Sequence, residues 1–126
     1  MSYLYTEAEK AAKKCGTRDP YDLIDVIGAK LRVSYDFDPE GLKGYATILN
    51  RSKFILVNGH LEKPDQRIVA GHEATHLILH KADILRSPVS TLRDFNLFSN
   101  TGRLESQANR FLADFLVSDL EVLNMA

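Results

Sequence analysis

The chain has 126 residues, 16 basic and 17 acidic side chains, a formal net charge of −1 and one cysteine, Cys15. That length suits a single domain over 1–126 with a proper core, and the even charge balance removes the electrostatic case for binding nucleic acid. A lone cysteine cannot build an intramolecular disulfide framework, no apolar run approaches the roughly 18 residues of a membrane span, and the opening MSYLYTEAEK has acids where a signal peptide needs an apolar core. A cytoplasmic protein is expected.

Thr6 to Lys14 reads as a helix, with Thr6 as N-cap, Glu9 completing a capping box and Gly16 as the stop. Lys10, Lys13 and Lys14 form its solvated face, and Cys15 is a small, partly buried residue beside its end. Asp19 caps a second helix that Pro20 opens, with Leu23, Ile24, Val26 and Ile27 as its buried face and Gly28 near its end. From Lys30 the period changes to two. Leu31, Val33, Tyr35 and Phe37 alternate with Arg32, Ser34 and Asp36 as a half-buried strand, and Asp38-Pro39-Glu40-Gly41 turns the chain. Gly44 to Leu49 and Phe54 to Val57 read as two more strands joined at Asn50-Arg51-Ser52-Lys53, which makes a three-stranded sheet. Gly44-Tyr45-Ala46-Thr47 is either a sheet edge that can hold an extended peptide through backbone hydrogen bonds or one arm of an ordinary hairpin. His60, in the Asn58-Gly59 turn, reads as solvated.

The chemistry is concentrated in Gly71-His72-Glu73-Ala74-Thr75-His76-Leu77-Ile78-Leu79-His80. On a helix, His72 and His76 lie one turn apart on one face, with Cβ atoms about 5–6 Å apart, so both imidazoles can reach one metal ion. Glu73 follows the first histidine directly and flanks the open coordination position without being a ligand, the H-E-x-x-H layout of zinc hydrolases. The lead-in supports a helix: Pro64 suits a first turn, and Asp65 sits favourably beside the positive end of the helix dipole. Ile68, Val69, Leu77, Ile78 and Leu79 supply apolar surface to bury it, and Gly71 leaves room for a strand or substrate to come close.

Beyond Lys81 the chain passes through Ser87-Pro88-Val89-Ser90 and Asp94-Phe95-Asn96-Leu97-Phe98 with no clean period, a long connection for a small domain. Phe95, Leu97 and Phe98 either tuck it onto the body or line a substrate pocket. Leu104, Ala108, Phe111, Leu112, Phe115 and Leu116 then repeat at helical spacing across Arg103 to Val117. A catalytic zinc site takes three protein ligands and leaves one position open. His80 is one turn beyond His76, and three histidines on successive turns of a straight helix diverge. Glu105, on a separate helix, approaches from another direction and is the better third ligand. Asn109, one turn later, can orient a ligand by a hydrogen bond.

HEATHLILH followed by ESQANRFLADFLV resembles the ImmA/IrrE family of metallopeptidases, and GYATILNRSKFILVN and DQRIVAGHE resemble that family's strand pair and lead-in, so the likeness runs from Val33 to Val117. Ala74-Thr75 and Val117-Ser118-Asp119 depart from the usual pattern, and neither touches a ligand. The resemblance implies a zincin-like α+β fold of a small sheet, N-terminal helices, an active-site helix and a C-terminal helix. It implies Zn2+ on His72, His76 and Glu105, a gluzincin-like set, with Glu73 as catalytic base. It also implies that the chain cleaves or otherwise relieves a repressor of a phage or mobile element, a helix-turn-helix protein being the expected partner. His80, Tyr45 and Arg103 are open candidates for the oxyanion donor, with His80 equally read as a residue whose hydrogen bond buttresses the end of its helix. A different class of function, a zinc-containing regulator that sequesters a repressor or toxin without cutting it, has no need of a base at Glu73. A peptide deformylase shares the histidine motif but takes its third ligand from a cysteine loop that is missing here.

Overall fold

In the computed structural model the described residues are 3–86, 91–94 and 102–117, with the stretch 91–94 described by its backbone. Two helices come first, α1 (Tyr3–Cys15) and α2 (Pro20–Val26). Gly16 and Gly28 end them at φ of 76° and 75°, where glycine escapes the Cβ clash of the left-handed region. Asp19 caps α2 as expected, its side chain accepting from the Tyr21 N–H at 3.0 Å. Helix α1 starts earlier than its expected capping box. Thr6 lies inside the helix, and Glu9 instead takes both of its oxygens to Arg18 at 3.0–3.2 Å. Arg18 also donates to the Asp114 and Phe115 carbonyls, so a long-range tie between the first and last helices wins over the local cap.

The sheet is mixed. Its strands are β1 (Lys30–Ser34), β2 (Gly44–Leu49), β3 (Ser52–Asn58) and β4 (Thr91–Asp94), in the spatial order β1-β3-β2-β4. β1 runs parallel to β3, while β2 is antiparallel to both β3 and β4. Leu49 pairs with Ser52, so Asn50 and Arg51, at φ of 49° and 68°, form the two-residue loop that suits the twist of a hairpin. The α+β class and the three expected strands are present, and a fourth strand joins them from the stretch expected to be an irregular connection. That strand decides the role of Gly44-Tyr45-Ala46-Thr47: β2 is paired on both sides, so it is no open edge for a peptide. β1 is shorter than the alternation suggested. It stops at Ser34, whose carbonyl accepts from the Gly59 N–H at 2.7 Å, and Tyr35 beyond it is exposed.

One sheet face is covered by α3 (Lys63–Leu79), the first turn of which holds Pro64 and Asp65. Gln66 fixes the turn before it by donating to the Gly59 and Leu61 carbonyls. A short α4 (Lys81–Arg86) follows, also unforeseen, and then α5 (Arg103–Leu116). Ala46, Ile48, Ile55 and Val57 meet Val69, Ala70, Ala74 and Leu77 of α3, and Phe111 and Phe115 of α5 close the core. Burying each phenylalanine fully contributes about 1.5–3 kcal/mol. Phe95, Leu97, Phe98, Ser118 and Asp119 lie outside the described residues.

Candidate metal centre

Helix α3 is buried almost all round, from Val69 to Leu77 without a break, and its two motif histidines and Glu73 are fully buried. Two features make this possible. Ala70, Gly71 and Ala74 keep the helix slim, and an added Cβ at Gly71 would stand 2.8 Å from Leu112 Cδ1 and 3.1 Å from Pro20 Cβ. The close approach that Gly71 permits is therefore by α5 and the start of α2, in place of the strand or substrate expected there.

This contact brings Glu105 of α5 over the histidine face. His72 Nε2 lies 2.8 Å from Glu105 Oε2, His76 Nε2 lies 3.1 Å from Glu105 Oε1, and the two Nε2 atoms are 3.1 Å apart. The Glu105 side chain keeps 24% of its exposure while both histidines have none, so the cluster meets solvent on the α5 side. Glu73 follows His72 at about 100° round the helix and lies about 60° from His76, on the flank of the same face.

The outer nitrogens are engaged as well. His72 Nδ1 is 2.9 Å from Asn109 Oδ1; an amide oxygen only accepts, so the ring proton sits on Nδ1 and Nε2 presents a lone pair. His76 Nδ1 is 2.9 Å from His80 Nδ1, and His80 Nε2 is 2.8 Å from Gln107 Oε1. Burial pushes the pKa of His80 below its ordinary value, with the Gln107 hydrogen bond opposing and the nearby His76 adding to the fall. With its Nε2 proton given to Gln107, a neutral His80 accepts from His76 Nδ1–H, and His76 Nε2 is left bare as well. Two lone pairs and a carboxylate then converge with their donor atoms 2.8–3.1 Å from one another, an arrangement that calls for a cation or protons at its centre. Donors at about 2.0–2.1 Å from a tetrahedral zinc stand about 3.3 Å from one another, so the set fits a metal of that kind. Among the described residues, these three side chains form the group able to hold an ion, their donor atoms all within 4.8 Å.

The other candidates are placed elsewhere. His80 has both ring nitrogens turned to His76 and Gln107, which leaves no N–H for an oxyanion. Tyr45 alternates with the core residue Ala46, so it lies on the sheet face away from α3, with its ring 5.9 Å from that of Phe37. Arg103 is exposed at the first position of α5. His60 is not simply solvated: its Nε2 is 3.0 Å from the Tyr35 carbonyl. Burial and the neighbouring Asp22 push the Cys15 thiol up, which disfavours a thiolate. Gln107 escaped the sequence analysis. Lying roughly 200° round α5 from Glu105, it gives no local sign that it reaches the end of α3.

The family model described as IrrE N-terminal-like domain, Peptidase_M78, matches residues 25–126, a span wider than the resemblance in the sequence. The chain is 27% identical over 111 residues to "Uncharacterized immunity region protein 2" of Bacillus phage phi105, covering 88% of this chain and 66% of that protein. No solved structure matches significantly. Among the described residues no helix is long and apolar enough to cross a membrane.

Proposed function

The chain belongs to the Peptidase_M78 family of IrrE N-terminal-like domains, and on that premise we propose that it is a zinc-dependent endopeptidase acting on one specific protein. The observation that carries this is the meeting of His72 Nε2, His76 Nε2 and the Glu105 carboxylate at one point, beside a fully buried Glu73. His72, His76 and Glu105 would hold the ion. Bound there, zinc supplies Lewis acidity, bringing the pKa of a water toward about 7 and polarising the scissile carbonyl.

The protein's own groups do the rest. Glu73, fully buried next to His72 in the chain, accepts a proton from the attacking water and returns it to the leaving amine nitrogen. Asn109 holds the His72 ring in the required tautomer. The substrate is a protein that keeps a phage or mobile element silent, a helix-turn-helix repressor in the first instance, acted on in the cytoplasm. Support for this comes from the name of the phage relative, an immunity region protein, and from the family. The chain spans about two thirds of that relative.

The test uses wild type, Glu73→Gln and Glu105→Ala. Zinc is counted by elemental analysis, and each protein is incubated with the repressor encoded beside its gene and followed by mass spectrometry. Wild type should hold one zinc and cut, Glu73→Gln should keep zinc and lose cutting by about 10²-fold or more, and Glu105→Ala should lose zinc. Full zinc retention in Glu105→Ala removes the third ligand. Cutting that survives in Glu73→Gln removes the base.

A further inference from the structure

Which ring nitrogen of His76 carries the proton decides whether that residue can bind a metal at all, and in this structure the choice is made two contacts away, at Gln107. His76 Nδ1 meets His80 Nδ1 at 2.9 Å, and His80 Nε2 meets Gln107 Oε1 at 2.8 Å. Each neutral ring carries one proton, so the order along the pair is set by the groups at its two ends, Gln107 Oε1 beside His80 and, in the metal-free chain, Glu105 Oε1 at 3.1 Å from His76 Nε2. With the amide oxygen of Gln107 at the end, the proton sits on His80 Nε2, then on His76 Nδ1, and His76 Nε2 is bare. With a donor in its place the order reverses, a proton lands on His76 Nε2, and the metal position is blocked.

We propose that Gln107 is a positioning residue of the metal centre, its amide oxygen acting through His80 to hold His76 in the tautomer that turns the bare Nε2 toward His72 and Glu105. The proposal rests on the metal-site reading above and adds a residue to it. Helix α5 then supplies the third ligand and both amides that orient the ligands of α3. Glu105 and Asn109 lie on one flank of its apolar stripe of Ala108, Phe111, Leu112 and Phe115, and Gln107 lies on the other. Asn109 acts on His72 directly, and Gln107 acts on His76 through His80. The four-residue step from His76 to His80 is what lets the relay turn the corner at the end of α3, where His80 is the C-cap.

Two substitutions separate the acceptor from the volume. Gln107→Met keeps the length and removes the acceptor, whereas Gln107→Glu keeps an oxygen that can only accept at pH 8. Zinc affinity is measured on the full chain by chelator competition, and the tautomer of His76 in the metal-free chain by long-range 15N–1H correlation. Thermal unfolding checks that each variant is folded. Gln107→Met should bind zinc about tenfold more weakly and lose the Nδ1–H form of His76, and Gln107→Glu should restore both to within about twofold. Zinc affinity and tautomer unchanged in a folded Gln107→Met overturn the relay, as does a folded Gln107→Glu that behaves like Gln107→Met. If wild type keeps His76 protonated on Nδ1 yet takes up no zinc, the relay stands and the metal-site reading fails. Tight zinc binding that ignores position 107 does the reverse.

Discussion

The two helices that build the site are opposites. α3 is buried from Val69 to Leu77, with His72, Glu73 and His76 at zero exposure, whereas α5 is amphipathic, with Ala108, Phe111, Leu112 and Phe115 inside and Arg103, Ser106 and Arg110 outside. One helix supplies imidazoles locked in the core. The other brings a carboxylate that keeps 24% of its exposure and amides that reach in from either side of its apolar stripe. Were an ion held between them, the buried helix would fix where it sits and the half at the water boundary would complete the site. The cost of changing each half should therefore differ in kind.

The widest separation is expected between His76→Ala and Glu105→Ala. Both should lose the metal. In the metal-free protein, however, His76→Ala leaves a cavity and an orphaned His80 and should cost about 2–4 kcal/mol, while Glu105→Ala should cost about 1 kcal/mol or less because the carboxylate is partly solvated. Urea unfolding after chelator treatment reads both, and equal losses would erase the distinction between the halves. Asn109→Leu sharpens the same comparison from the α5 side: zinc affinity should fall about 10–100-fold, with the unfolding midpoint of the metal-free chain little changed. A lowered midpoint with unchanged affinity would make Asn109 a packing residue.

Gly71→Ala probes the seam between the helices. The added methyl meets Leu112 Cδ1 at 2.8 Å and Pro20 at 3.1 Å, an overpacking cost of about 1–3 kcal/mol that better helix propensity offsets by nearly 1 kcal/mol. A net loss near 1 kcal/mol is expected, together with weaker zinc binding as α5 is pushed away; a stabilised protein with full affinity would show that the seam can give. The smallest effect on the metal centre belongs to Arg18→Ala. It removes the ties to Glu9 and to the carbonyls of Asp114 and Phe115 at the far end of α5, costs about 1–2 kcal/mol, and should leave zinc affinity unchanged because Glu105 lies at the other end of the helix.

Much of this was legible in the amino-acid order, for local physical reasons. The four-residue step from His72 to His76 places two rings on one helix face, Asp19-Pro20 opens a helix, Gly16 and Gly28 end two, a period-two run marks β1, and short apolar runs around a turn mark β2 and β3. The need for a ligand from another direction pointed to Glu105, which the structure places at 2.8 Å from His72. Contacts between distant segments were not legible. Thr6 and Glu9 have the form of a capping box, yet Glu9 is taken by Arg18, and no local pattern announces that partner. β2 has the form of an edge strand until β4 arrives from residues 91–94 to cover it.

By itself the sequence determined which residues can act together within one element: the HExxH face of α3, the apolar stripe of α5 and the alternation of the strands. Only the tertiary structure decided what crosses between elements: Leu112 lying over Gly71, Asn109 oxygen on His72, and Gln107 speaking to His76 through His80. The division has a physical cause. Helical and strand periods follow from backbone geometry, which every residue carries locally, whereas the side of an imidazole that holds its proton depends on an acceptor supplied by a chain segment folded in from far along the sequence.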